Sequence, residues 1–237
     1  MGTAERRQRE KEQRKTEILD AAERLFFARN YEEVSMEEIA RAVELNKATV
    51  YLYFANKEAL FATIVVRGIR IMEEKFRACM EKEAPGIVRV ALMGQAYYRF
   101  ALEDPEYLRL IRFYGSERFS QENPYTAEIG RGYGSCRRIL QDAIKGGIDD
   151  GTIRPDLDPF LGSMYLMISF MGNLSLENKW LLVIQAEGFR NEQFAEQFFR
   201  FILPAIAPAD KDPVPDIRKF AAYGFTIGES LSPKKRK

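Results

Sequence analysis

The sequence predicts an all-α protein, with a small N-terminal helix-turn-helix domain followed by a larger helical domain, about nine helices in all. Three observations predict it. Apolar residues recur at helical spacing through most of the chain, with little of the alternation that marks strands. Capping residues punctuate the first quarter at short intervals: Ser35 before Glu38, Asn46 before Val50, Asn56 before Leu60. Proline and glycine separate the later apolar stretches, at Ala84-Pro85-Gly86, Asp104-Pro105 and Asp158-Pro159.

Taken in order, Ile18, Ala22, Leu25 and Phe26 form one apolar stripe, so an amphipathic helix is expected over residues 6–29. Ser35 and Glu38 make a capping box that opens a second helix, with Met36, Ile39, Ala40 and Val43 facing inward. Asn46 caps a third helix, anchored by Val50 and Phe54 at i and i+4, which leaves Lys47, Thr49, Tyr51 and Tyr53 on its outer side. Asn56 caps a long fourth helix through Leu60, Ile64, Ile71 and Cys79. Ala84-Pro85-Gly86 breaks it, and a fifth helix follows over residues 87–102. Asp104-Pro105 starts a sixth through Tyr114, and a loop rich in Ser, Asn and Pro over residues 116–124 leads into a seventh that ends near Gly151. Asp158 as N-cap and Pro159 at the first helical position restart the chain. The helix from Phe160 to about Leu176 is apolar nearly all round and must be covered on every side. Residues 177–190, with Trp180, form a short extra helix or a lid. The last core helix, over residues 191–206, carries Phe194, Phe198, Phe201 and Ile202 at helical spacing. After Pro208 the composition turns to that of a linker, and residues 220–225 dock on the core. Domains are thus expected at residues 1–57 and 58–207, with a linker and tail over 208–237.

Two short helices around a tight turn place the second in the DNA major groove. Thr49 has a hydroxyl and a methyl suited to a base edge or a thymine methyl, and Lys47 reaches a phosphate or a guanine. Ser35 and Lys57 stand at helix starts, where unpaired N–H groups favour phosphate. The runs Ile18-Leu19-Asp20-Ala21-Ala22-Glu23-Arg24-Leu25-Phe26, Ser35-Met36-Glu37-Glu38-Ile39-Ala40, Asn46-Lys47-Ala48-Thr49-Val50-Tyr51-Leu52-Tyr53-Phe54 and Asn56-Lys57-Glu58-Ala59-Leu60 together closely resemble the N-terminal domain of the TetR/AcrR family of ligand-responsive transcription regulators. The resemblance implies phosphate contacts for Tyr51 and Lys57. The candidate DNA-binding residues are Ser35, Met36, Lys47, Ala48, Thr49, Tyr51, Tyr53 and Lys57. Tyr51 and Tyr53 also suit packing roles, so both readings stand. One departure is Glu44, where the family usually carries glycine; a positive φ there costs a glutamate about 1 kcal/mol or more. Either the turn is strained or its geometry differs.

The resemblance also implies a C-terminal domain in which the last two helices form a four-helix dimer interface and a pocket between helices four to eight receives an inducer. The middle of the chain carries an aromatic excess. Its candidate effector-binding residues are Tyr97, Tyr98, Arg99, Tyr107, Arg112, Tyr133 and Met167, around an apolar cavity with few polar groups. Phe170, Phe194, Phe198 and Phe201 are the candidate dimerisation residues; filling a monomer core is the alternative. The expected partners are palindromic double-stranded operator DNA, a small hydrophobic or aromatic effector, and a second copy of the chain. The expected function is a ligand-responsive transcriptional regulator, a repressor released from its operator by that effector. An effector-independent DNA-binding activator or architectural protein is one alternative, and an all-α enzyme another.

Composition bounds these readings. The 237 residues are 46% hydrophobic, enough for a substantial core. The charges nearly cancel, 36 basic against 35 acidic, and residues 1–57 hold eleven of each. Binding to DNA must therefore rest on a few well-placed cations. In the arm, Arg6, Arg7, Arg9, Lys11, Arg14 and Lys15 outnumber Glu5, Glu10 and Glu12; it touches DNA or is a solvated helix start. There is no histidine, which removes the commonest general base and zinc ligand. Cys79 and Cys136 lack metal-ligand spacing and suit buried packing in a reducing cytoplasm, so no metal and no cofactor is expected. No Walker A loop or GxGxxG after a strand occurs, and Gly130, Gly132 and Gly134 form only a glycine-rich patch. The charged N-terminus is unlike a signal peptide, and the apolar run of residues 164–171 is too short to span a bilayer, so the expected location is cytoplasmic with no membrane contact. Lys234 to Lys237 form a basic tail of a kind that marks nuclear import or DNA contact; in a regulator resembling bacterial ones a solvated tail is expected.

Overall fold

Ten α-helices and two 3-10 turns, with no strand, make up the residues described by the computed structural model, which are 3–115, 124–174, 178–209 and 217–226. The helices are α1 (Thr3–Ala28), α2 (Met36–Ala42), α3 (Lys47–Tyr51), α4 (Lys57–Met80), α5 (Gly86–Glu103), α6 (Pro105–Tyr114), α7 (Pro124–Asp149), α8 (Pro159–Leu174), α9 (Asn178–Ala186) and α10 (Asn191–Ile206). The 3-10 turns are Tyr31–Glu33 and Ile217–Tyr223. The all-α class is as the sequence predicts, and the stretch around Trp180 is a helix, α9. The glycine-rich patch lies inside α7. The loop over 116–123, the linker over 210–216 and the basic tail fall outside the described residues.

Helix starts are set by local chemistry. The Ser35 N–H donates to the Glu38 carboxylate at 2.9 Å and the Glu38 N–H donates back to Ser35 Oγ at 3.2 Å, a complete capping box. Asn46 accepts from the Thr49 N–H at 2.8 Å, Asn56 from the Ala59 N–H at 2.7 Å, and Asp158 from the Leu161 N–H at 2.8 Å. Each side chain satisfies a donor that the first helical turn leaves without a partner.

The chain divides into two compact units: residues 1–69 with 106–130, and residues 70–105 with 131–237. In the first, Phe61 of α4 meets Phe26 of α1 edge-on at 5.1 Å between centroids, Tyr31 at 4.9 Å and Phe113 of α6 at 5.8 Å. Fully burying one such ring contributes about 1.5–3 kcal/mol, so this cluster holds three helices together. Polar ties surround it. Arg67 bonds Asp20 at 2.7 Å and Glu23 at 2.9 Å, and the Tyr107 hydroxyl donates to Glu23 at 2.6 Å. Arg109 donates to the carbonyls of Phe26 at 2.7 Å and Phe27 at 3.1 Å, at the end of α1 where carbonyls lack helical donors.

In the second unit two aromatic rings approach α5 at Gly94. A Cβ there would lie 2.5 Å from the ring of Phe170 and 2.7 Å from that of Phe199. Glycine therefore lets both rings rest on the α5 backbone. Phe198 packs edge-on against Phe170 at 5.5 Å, and Phe225 against Phe199 at 5.3 Å. Phe220 and Phe225 are buried, so the segment after the linker docks as the sequence predicts. Cys79 and Cys136 are buried and free, and burial pushes their thiols up to about 11 and about 12.

Candidate functional site

The site begins with the turn between α2 and α3. Glu44 has φ 55°, the left-handed region, and is the one non-glycine residue with positive φ among the described residues. Its N–H donates to the Arg41 carbonyl at 3.1 Å, and the next N–H, of Leu45, donates to the Ala40 carbonyl at 2.9 Å. The turn thus keeps the geometry a glycine would adopt, and the glutamate bears a strain of about 1 kcal/mol.

Helix α3 is only five residues long. Buried Val50, with Phe54 just beyond the helix, fixes its inner side, while Lys47, Ala48 and Tyr51 are exposed and Thr49 and Tyr53 half-buried. The Thr49 hydroxyl donates to Asn46 Oδ1 at 2.8 Å, so it reinforces the cap. Lys47 bonds the carboxylate of Glu37 on α2 and stands 5.8 Å from the Tyr51 ring centroid. The bond lowers the Glu37 carboxyl and raises the Lys47 ammonium from their ordinary values. Lys47 therefore stays charged, with one of its three N–H donors committed to Glu37.

Three of the remaining candidates have structural duties. Met36 is buried in the small core, which leaves only its backbone for DNA. Ser35 is half-buried, and its hydroxyl donates to Glu38 at 3.0 Å. Glu38 is the hub: Arg29 at 2.9 Å, then the Ser35 N–H and hydroxyl, hold its carboxyl down to about 2. Lys57 donates to the carbonyls of Tyr31 at 2.8 Å and Val34 at 3.0 Å, and lies 4.1 Å from the Tyr31 ring centroid. Its ammonium ties the start of α4 to the 3-10 turn, a role for which the sequence carries no local signal. The basic arm continues α1, with Arg6 paired to Glu10 and Arg14 to Glu17, both at 2.8 Å.

The effector candidates divide between the units. Tyr107 and Arg112 belong to the first. Burial, then the bond to Glu23, raises the Tyr107 phenol. Tyr97, Tyr98, Arg99, Tyr133 and Met167 belong to the second. The Tyr98 hydroxyl donates to Asn173 Oδ1 at 3.0 Å, and burial pushes the Tyr133 phenol up to about 12. Arg99 donates to Thr226 Oγ1 at 2.8 Å.

The dimerisation candidates also separate. Phe170 is buried within its own unit, Phe194 and Phe198 are half-buried, and Phe201 is 77% exposed. Phe160, Leu161, Tyr165, Ile168 and Met171 on α8 are exposed as well, although the sequence singled out only Phe170 of that helix as a candidate. An all-round apolar helix gives no signal of which side its own chain covers.

A capped helix pair of this geometry, on an otherwise helical body, defines a helix-turn-helix DNA-binding regulator. Residues 18–64 match the model of the bacterial regulatory proteins of the tetR family. The chain is 35% identical over 163 residues, 65% of its length and 78% of the relative's, to the uncharacterized HTH-type transcriptional regulator YhgD of Bacillus subtilis (strain 168). It belongs to the TetR family of transcriptional regulators. Among solved structures it is similar to the transcriptional regulator FadR from Bacillus subtilis in complex with stearoyl-CoA, with TM-score 0.62 and 18% identity over 81% of this chain and 98% of that one. It is also similar to AibR in complex with isovaleryl coenzyme A and operator DNA, with TM-score 0.59 and 23% identity over 81% of this chain and 98% of that one. At these identities the likeness is one of fold. No helix among the described residues is long and apolar enough to cross a membrane.

Proposed function

We propose that the protein is a homodimeric repressor that reads a palindromic operator through α3 and is released by a hydrophobic effector carrying an acyl chain. The observation that carries this reading is α3 itself, with Lys47, Ala48 and Tyr51 outward over a buried Val50 anchor. Lys47 and Thr49 address bases, and Tyr51 the phosphate backbone. The short α3 reads one half-site, so two copies about 34–36 Å apart are needed for a palindrome. The exposed apolar residues of α8 and Phe201 of α10 support a second copy as their cover.

The effector seat lies in the second unit, near Tyr97, Tyr98, Arg99, Tyr133 and Met167. Support for an acyl chain comes from the two neighbours solved with acyl-coenzyme A ligands. Helix α4 is covalently continuous from reader to effector unit, contributing residues to both. An effector needs to favour the DNA-incompetent dimer by only about 1–3 kcal/mol to change occupancy.

The test is a footprint on the DNA upstream of the protein's own gene, with and without medium- and long-chain acyl-CoA. A protected palindrome that opens on adding acyl-CoA is expected, and Thr49→Ala relaxes preference at one or two base positions per half-site. Protection that no acyl compound alters would favour the effector-independent regulator. Absence of any protected site would remove the reader assignment.

A further inference from the structure

The segment after the linker does more than cover apolar surface. Gln95 of α5 is only 3% exposed, and its amide Nε2 donates to both the carbonyl oxygen of Thr226 and, at 2.9 Å, its Oγ1. Arg99, one helical turn along, donates to the same Oγ1 at 2.8 Å. These contacts span well over a hundred residues of chain and join a buried amide and a half-buried guanidinium to two oxygens of one residue. Arg99 has no carboxylate within ion-pair reach among the described residues, so its charge meets only a neutral hydroxyl there. Next to these oxygens the segment carries an apolar body. Phe225 packs edge-on against Phe199 at 5.3 Å and against Phe220 at 5.9 Å.

We propose that Gln95 and Arg99 are the polar anchor of the effector site, that this anchor takes a carboxylate on an apolar chain, and that Thr226 and Phe225 occupy it as a resident plug until such a ligand arrives. The inference rests on the reading that the second unit receives a hydrophobic effector. Its chemistry follows from the donors. An amide and a guanidinium aimed at two oxygens suit a carboxylate, which supplies both acceptors and also the negative charge that Thr226 lacks. The Thr226 oxygens stand where a carboxylate's would, and the Phe225 ring stands where the first part of an apolar chain would. A plug of this kind lowers apparent affinity, because ligand binds only the fraction of molecules whose segment has left.

Decanoate, decanoyl-CoA and 1-decanol are the probes, used on the full-length protein without DNA, so that the outcome is independent of operator binding. Binding is read by calorimetry. Displacement is read by the rate at which trypsin cuts after exposed Arg218 and Lys219, followed by mass spectrometry. Decanoate should bind and speed this cleavage about tenfold while 1-decanol does neither, and Phe225→Ala should tighten decanoate binding about tenfold. Thr226→Val, which removes the hydroxyl acceptor with little change of volume, should tighten it in the same direction, and Arg99→Met should abolish it. The proposal is overturned by decanoate binding that leaves cleavage unchanged, or by Phe225→Ala and Thr226→Val proteins that bind no tighter. It is equally overturned if 1-decanol matches decanoate, if decanoyl-CoA alone displaces the segment, or if no probe binds at all. An acyl-CoA effect on the footprint without decanoate displacement would sink this inference and leave the repressor reading standing.

Discussion

The two units treat their apolar side chains in opposite ways. In the reader, Phe26, Ile39, Val50, Leu60 and Phe61 are fully enclosed, and the large apolar residues exposed among the described ones are Tyr51 and Leu52. The second unit leaves Tyr165 67% and Ile168 60% exposed on α8, and Phe201 further out still on α10. A patch of that kind is unusual on a surface that meets only water. The difference teaches that the reader encloses its own apolar side chains and offers the polar surface that its proposed DNA partner requires. The second unit keeps an apolar surface exposed on α8 and α10, the face on which the proposed second copy would dock.

The largest expected effect breaks this contrast directly. Phe201→Glu would bury an unpaired carboxylate in each half of a two-fold interface, at a cost of several kcal/mol. Sedimentation should show a wild-type dimer and a variant monomer at micromolar concentration, with the helical circular dichroism unchanged. Leu52→Glu, in the equally exposed apolar position of the reader, should leave the dimer intact. A folded wild-type monomer at micromolar concentration would show that α8 and α10 need no second copy.

Next in size is Lys57. Its two bonds to the Tyr31 and Val34 carbonyls are charge-assisted and half-buried, and its removal leaves both acceptors without that donor. Lys57→Met should lower reader stability by about 2 kcal/mol, read as an earlier urea midpoint at unchanged slope. Unchanged stability with a uniform loss of DNA affinity would instead make Lys57 a phosphate contact alone.

Lys57 and Gln95 mark the boundary of what the sequence reveals. The caps at Ser35, Asn46, Asn56 and Asp158 are legible because cap and partner lie three residues apart, within one turn. The turn at Glu44 is legible for the same reason, and there the structure selects strain over altered geometry. Lys57 meets carbonyls 26 and 23 residues away, and Gln95 meets Thr226 from 131 residues away. Such contacts depend on tertiary packing, which periodicity does not encode. Helix α8 is the intermediate case. Its apolar composition announces full coverage, but only the fold turns Phe170 inward and Ile168 outward.

Relief of strain in the reader is a smaller effect. Glu44→Gly removes the Cβ from a left-handed residue but makes the unfolded chain more flexible, so the two terms partly offset. A small net gain, up to about 0.6 kcal/mol, is expected, seen as a later urea midpoint. A loss of stability would mean that the Glu44 side chain contributes more than its backbone costs.

The smallest effect separates charge from packing inside the reader. Glu38 is held down to about 2 by Arg29 and Ser35, against an ordinary value of 4.5. A carboxyl depressed on folding stabilises the folded state above its unfolded value, and that contribution fades as pH falls toward the folded one. Glu38→Gln keeps an oxygen able to accept the Ser35 N–H, as glutamine does in other capping boxes, but loses the charge opposite Arg29. Wild type should therefore melt above Glu38→Gln at pH 7, and the gap should close between about pH 4.5 and 2. Both proteins share every other titrating carboxylate, so the difference isolates this one. In an Arg29→Met background the gap should be smaller at pH 7, because the first cause of the depression is gone. A gap that persists undiminished at pH 2 would show that Glu38 acts through shape rather than charge.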